Sequence, residues 1–448
     1  MTPRYLTKSR FKLAHECETK LFYTNKKSEY ANQSLDDSFL KSLAEGGFQV
    51  GELAKYYFCN DPVAENISID TLNYQEALRQ TAEKINNGAK VIAEAAFRYE
   101  NLFIRADIFK IDTQKKEIEL HEVKAKSYSS TDNFMSVDRK LGDTTGIKSG
   151  WESYLFDVAF QKYVLRKCFP DYKISAFLMM ADKDAVASVH GLNQFFKINK
   201  NGDRVSVTVE EGLTRYQLGD TILTSVNVDD EIHWIWNNPV KSKFQEGLDF
   251  GSYVEMLSNA YRHDEKLIVP IHTGCKKCQF RTLPEKPDEE ELKSGFMECW
   301  LQATGLTEKE LQKPLVSDLW CGGFRGMSGL IESGIYLLEN ITEELITSKT
   351  RSKTDYPGLT PLQRRLLQIR KSKNNDTRVY LDKEGLKREM ESWTFPLHFI
   401  DFETSRVAIP FHEGRKPYEQ IAFQFSHHVV SADYSIEHKG QYISFEPG

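Results

Sequence analysis

The chain has 448 residues, with 59 Lys and Arg against 65 Asp and Glu, for a formal net charge of −6. That length suffices for two or three domains with their own cores, and 40% hydrophobic with 28% charged residues is an ordinary globular balance, which excludes a disordered or fibrous chain. No apolar run is long enough to span a bilayer and the first residues lack an apolar signal core, so no membrane partner and a cytoplasmic location are expected. The negative total does not exclude a nucleic-acid partner, because phosphates are met by a local basic surface. Seven cysteines, an odd number, suggest thiols or metal ligands rather than disulfides in a cytosolic chain.

Residues 4–23, RYLTKSRFKLAHECETKLFY, predict a strand or turn entry and a short helix capped by Ser9, with Cys17 inside the helix. A lone Cys there reads first as a small buried hydrophobe. Residues 24–45 are polar and predict a loop. GFQVGELAKYYF, 47–58, predicts an amphipathic helix, and 74–86 another. Lys90–Phe97 predicts the first core strand, with Glu94 either a site carboxylate or a strand-edge charge. Leu102–Lys126 predicts two strands joined by a polar turn. Ile104, Ala106 and Ile108 alternate with Arg105 and Asp107 on the first, and Ile118, Leu120, Glu122 and Lys124 share one face of the second.

Residues 127–150 predict a polar loop in which Arg139, Lys140 and Lys148 either meet phosphates or are simply solvated. Residues 151–168 have helical periodicity and carry Gln161, a site group or a plain polar helix residue. ISAFLMM, 174–180, predicts a strand buried on both faces, parallel to the one before it through a right-handed crossover. FFKIN and RVSVTVE predict a hairpin turning at 200–203, EIHWIW a further strand, and Tyr253–Ala260 a helix. Cys275-Lys-Lys-Cys278 follows, with Cys299 further on. Two thiolates at this spacing grip one metal or cluster, although zinc, a redox pair or free thiols fit the same pattern. Residues 283–293 predict an exposed acidic excursion, 305–349 helices, and 351–378 a basic linker or solvated helix face. LHFIDFET, with Asp401 and Glu403, QIAFQFSHHVV and HKGQYISF predict three closing strands. Cys59, Cys168 and Cys321 read as core or incidental.

Asp107 with Glu122-x-Lys124 has a defined chemical use. Two carboxylates can hold Mg²⁺ or Mn²⁺ through hard oxygen ligands. Such an ion acidifies water and stabilises charge on a phosphoryl oxygen, and a lysine beside it can orient the water. Alone, E-x-K is equally a solvated strand face.

The ordered set of Glu94, RADI around Asp107, HEVKA around Glu122 and Lys124, and the helix with Gln161 resembles the PD-(D/E)XK nucleases of the RecB type, with likeness to CRISPR-associated RecB-like and AddB nucleases over roughly residues 8–300. The resemblance implies an α/β restriction-endonuclease-like mixed sheet flanked by helices. It implies a DNA nuclease of exonuclease type acting on single- or double-stranded DNA, in DNA repair or antiviral defence. Asp107, Glu122 and Glu94 would be metal ligands, and Lys124 and Gln161 further catalytic groups. Related nucleases carry a metal-binding His on the helix at 47–58. This chain has Gly51 or Glu52 there, and His15 is out of place. In the iron–sulfur branch an N-terminal cysteine and three C-terminal ones hold a [4Fe–4S] cluster, which maps onto Cys17, Cys275, Cys278 and Cys299, with zinc as the alternative. FIDFET resembles the opening motif of DEDD exonucleases, whose fold is RNase H-like, and makes Asp401 and Glu403 a possible second metal site. The domains implied are a nuclease domain over 1–300, a helical linker over 301–392 and a partial RNase H-like domain over 393–448. The rival expectation is a non-catalytic nucleic-acid-binding or scaffold protein with a degenerate nuclease fold.

Overall fold

The computed structural model describes residues 3–35, 38–58, 67–137, 144–201, 204–283, 285–286, 289, 291–320, 324–347 and 358–445. Among these the chain is a mixed α/β protein built on a six-stranded mixed sheet flanked by helices. Its strands are β1 (Leu6–Thr7), β2 (Val91–Tyr99), β3 (Leu102–Asp112), β4 (Glu117–Tyr128), β7 (Lys173–Asp182) and β10 (Leu223–Asn227). A hairpin of β5 (Met135–Val137) and β6 (Thr144–Ile147) interrupts the loop expected after β4, and β8 (Phe196–Asn201) pairs with β9 (Arg204–Val209) as expected. The predicted hairpin turn and the side chains of Arg139 and Lys140 fall at least partly outside the described residues.

The topology creates a fork. β2 runs antiparallel along the whole of β3, occupying one edge. The other edge of β3 is shared: β1 pairs with it in parallel at Leu102 and Phe103, and β4 antiparallel from Ile108 to Asp112. Between those contacts β3 is open on that edge, and Asp107 lies in the gap. β4 then pairs in parallel with β7, and α5 (Ser149–Cys168) makes the crossover. This is the strand–helix–strand unit that the apolar run of β7 predicts.

Burial follows the pattern of the strands. Ile104, Ala106, Ile118 and Leu120 enter the main core with Phe11, Leu155, Val158, Phe160 and Phe250. Helix α1 (Lys8–Glu16) packs beside α5 and α7 (Phe250–His263) in this core. A second core lies around α3 (Ser38–Phe58), where Val50, Leu53 and Ala54 meet Met179, Leu192 and Phe196. A third holds the helical region, joining Ile271 and Trp300 to Leu311, Leu330, Ile341 and Ile369, so apolar packing runs across the expected boundary at residue 300.

Four local expectations are corrected, the first being the loop over 24–45, because α3 already begins at Ser38. The cap of α1 is Thr7, whose side chain accepts the Arg10 amide, rather than Ser9, which lies inside the helix. Such a cap contributes about 1 kcal/mol. Cys17 closes that helix as its C-terminal cap and does not lie within it. EIHWIW is not a strand but part of α6 (Asp229–Asn237), because three carboxylates complement the helix N-terminus and Ile232 and Ile235, three apart, both bury.

The last region forms a separate antiparallel sheet, β11 (Leu397–Ser405), β12 (Ile421–Val430) and β13 (Ile436–Ile443). Among the described residues no helix is long and apolar enough to cross a membrane.

Candidate active site and cysteine cavity

The fork gathers five charged groups and one amide. Asp107 Oδ2 accepts the Val123 amide of β4 at 2.8 Å, where the β3–β4 ladder ends. The side chain thus takes the place of a ladder bond and holds the strands at their point of divergence. Glu122 is fully buried on β4. Lys124, two residues on, donates to both Glu122 and Asp157, the latter at 2.9 Å. Gln161 donates to Glu122 at 2.8 Å and Asp157 at 3.3 Å from one turn further along α5. Its own amide oxygen is buried with no hydrogen-bond partner.

Lys8 completes the set. It is the first residue of α1, directly after β1, so the short parallel pairing of Leu6 and Thr7 aims it into the gap. Its ammonium donates to Asp107 at 3.1 Å and to the two oxygens of Glu122 at 2.9 and 3.0 Å. Sequence reasoning missed Lys8 and Asp157. For Asp157 a signal existed, since Asp and Gln four apart on a helix otherwise lined with Phe156, Val158, Ala159 and Phe160 are two polar groups on a buried surface.

Three carboxylates stand against two ammonium groups here, so the cluster is negative when all are ionised. Burial, with Glu122 beside it, pushes Asp107 up to about 7 against the pull of Lys8 and Lys124. Asp157 is raised for the same two reasons. Burial also opposes the charge of Glu122, but Lys124 and Lys8 outweigh it and hold that carboxyl well below the usual range. Both lysines feel burial first, and the surrounding carboxylates more than offset it, keeping them above the ordinary lysine value.

The other expected residues are placed as follows. Glu94 lies beside Asp107 in the β2–β3 pairing, where the ladder skips it between Ala93 and Ala95. Its φ is +57°, a strained backbone for a non-glycine residue, and its carboxylate pairs with Arg105 at 3.4 Å. Glu52 pairs with Lys55 on its own helix, and His15 stacks on Phe156. Lys148 stands at the N-cap of α5. Asp401 and Glu403 are exposed on β11 and share one face of a three-stranded sheet.

The four cysteines, distant in sequence, line one cavity of about 370 Å³ with Lys20, Tyr23, His272 and Trp300. Burial pushes all four thiols above the ordinary range, Cys275 to about 11, and for Cys17, Cys275 and Cys299 neighbouring thiols add to it. Tyr23 Oη lies 3.3 Å from Cys299 Sγ, and the His272 amide lies 3.5 Å from Cys275 Sγ. His272 Nε2 and Trp300 Nε1 are buried without a partner at the cavity wall. Among the described residues no three His, Cys, Asp or Glu side chains converge on a single-ion position.

Residues 398–447 match the family model of a domain of unknown function, DUF2779. No curated protein and no solved structure matches the chain.

Proposed function

We propose that the fork is the active site of a metal-dependent nuclease that hydrolyses DNA phosphodiester bonds. The observation that carries this reading is the convergence of Asp107, Glu122 and Lys124, from two strands, with Gln161 and Asp157 behind them. The donor set suits Mg²⁺ or Mn²⁺: two carboxylates at the fork and, beside them, an amide oxygen left without a partner. When bound, the ion supplies Lewis acidity and lowers the pKa of water. Glu122 is kept ionised by its lysines, and Asp107 loses its proton near neutrality, so both can serve as hard ligands at mildly alkaline pH. Lys124, held between Glu122 and Asp157, stays cationic and can orient a water or neutralise charge on phosphate.

Lys8 supports the rival reading, a nucleic-acid-binding or scaffold protein, because its ammonium already bridges the two carboxylates. Cleavage of end-labelled single- and double-stranded DNA with Mg²⁺ or Mn²⁺ decides between them. The nuclease reading expects activity in the wild type and its loss in both Asp107→Ala and Lys124→Ala. An inactive wild type that binds DNA in a salt-dependent manner sinks it.

The cysteine cavity suits a [4Fe–4S] cluster of structural role. Four cysteines line one cavity, and Lys20, Arg281 and Lys266 lie close enough to favour thiolate charge. The unpaired ring nitrogens of His272 and Trp300 are available as donors to sulfur. Such a centre would tie the end of α1 to the segment that begins the helical region.

A further inference from the structure

We infer that the loop 406–420, between β11 and β12, braces the end of the β4 strand, with Tyr418 as a positioning residue for Lys124. The functional half of this inference rests on the nuclease reading; the brace itself does not. The β4–β7 register slips between Lys124 and Ser127, leaving Ala125 and Lys126 out of the ladder. A bulge of this kind frees backbone groups that need other partners. Tyr418 Oη, 293 residues away in sequence, donates to the Ala125 carbonyl at 2.5 Å.

Tyr418 is itself held. Its amide donates to the Val407 carbonyl at 2.8 Å and its carbonyl accepts from Arg406 Nε at 3.1 Å. Its φ is +60°, a conformation a tyrosine keeps only where surrounding contacts impose it. The rest of the loop is docked rather than free. Ala408 and Ile409 are buried in the second core. Asn193 donates to Ile409 and Pro410, Gly191 to Phe411, and Ala187 exchanges backbone bonds with Gly414 and Arg415. A segment within the DUF2779 match therefore reaches the strand that carries Glu122 and Lys124.

The consequence is geometric. Lys124 immediately precedes the braced carbonyl, and its ammonium must meet Glu122 and Asp157 together. An unbraced bulge would let that backbone drift, and small misplacements at a reacting centre cost much of its rate.

Tyr418→Phe in the full chain keeps the ring and removes only the hydroxyl. Three readouts apply: amide hydrogen exchange of peptides covering 122–129, labelling of Lys124 by an amine-reactive reagent, and kcat and KM on end-labelled DNA. The expected result is about fivefold faster exchange in those peptides, on the scale of one lost neutral hydrogen bond. Faster labelling of Lys124 and a fall in kcat with KM unchanged should accompany it. Unchanged exchange overturns the brace. Faster exchange with unchanged Lys124 labelling overturns the positioning role. If the wild type cleaves nothing, the nuclease reading fails, while exchange and labelling still judge the brace. Ile409→Asp, which undocks the loop from its apolar seat, should reproduce the exchange and labelling changes, and overturns the proposal if it leaves both as in the wild type.

Discussion

Replacing Asp107 with Asn should stabilise the metal-free protein while destroying its response to metal. Asp107 is raised from 3.8 to about 7 by burial and by Glu122. A carboxyl raised in the folded state favours folding at low pH, and that contribution is lost as pH climbs from about 4 through 7. At about 1.36 kcal/mol per tenfold, the rise corresponds to an upper limit of roughly 4 kcal/mol above neutrality. Relaxation of Lys8 and Glu122 and solvent at the partly exposed carboxylate reduce this to an expected gain of about 2 kcal/mol. Asparagine keeps an oxygen for the Val123 amide, so the strand junction survives. The assay is urea denaturation in EDTA at pH 5 and pH 8, repeated with Mn²⁺. Asp107→Asn should exceed wild type at both pH values, by a clearly larger margin at pH 8 than at pH 5, and Mn²⁺ should stabilise only the wild type. A variant less stable than wild type at pH 8 in EDTA would refute the account of an under-neutralised buried cluster.

Three further outcomes follow from the same structure. Lys8→Met removes the ammonium that bridges Asp107 and Glu122, so Mn²⁺ should bind several-fold more tightly by calorimetry; equal or weaker binding would show that Lys8 does not compete for the site. Cys17→Ser should lower iron and acid-labile sulfide per chain in anaerobic preparations and reduce Tm, whereas a colourless wild type containing zinc would reject the cluster. Buried His121 is held near 4 by burial despite Glu119, so the neutral ring's contribution is complete above pH 6.5 and lost as pH falls toward 4; up to roughly 3 kcal/mol of acid sensitivity should be missing from His121→Phe when its denaturation is compared with wild type at pH 7.5 and 4.5.

The alternation of Leu102–Lys126 by itself determined that two adjacent strands would set Asp107 near Glu122 and Lys124, because period-two burial and a short turn are local properties. The continuous apolar run of β7 likewise determined a parallel neighbour for β4. Composition could not give the sign and balance of the site. Lys8 lies 99 residues from Asp107 and 114 from Glu122, and in LTKSR it reads as any solvated lysine until two residues of β1 pair with β3 and point it into the fork. EIHWIW went the same way: its alternation suits a strand, but its acidic first turn and the burial of Ile232 and Ile235 suit a helix, and packing chose the helix. Spacing alone grouped Cys275 and Cys278, whereas the lining of one cavity by these two together with Cys17 and Cys299 is a tertiary fact. What the local pattern determined were groups brought together by backbone periodicity; what only tertiary structure decided were groups brought together by chain closure, for which no short-range signal exists.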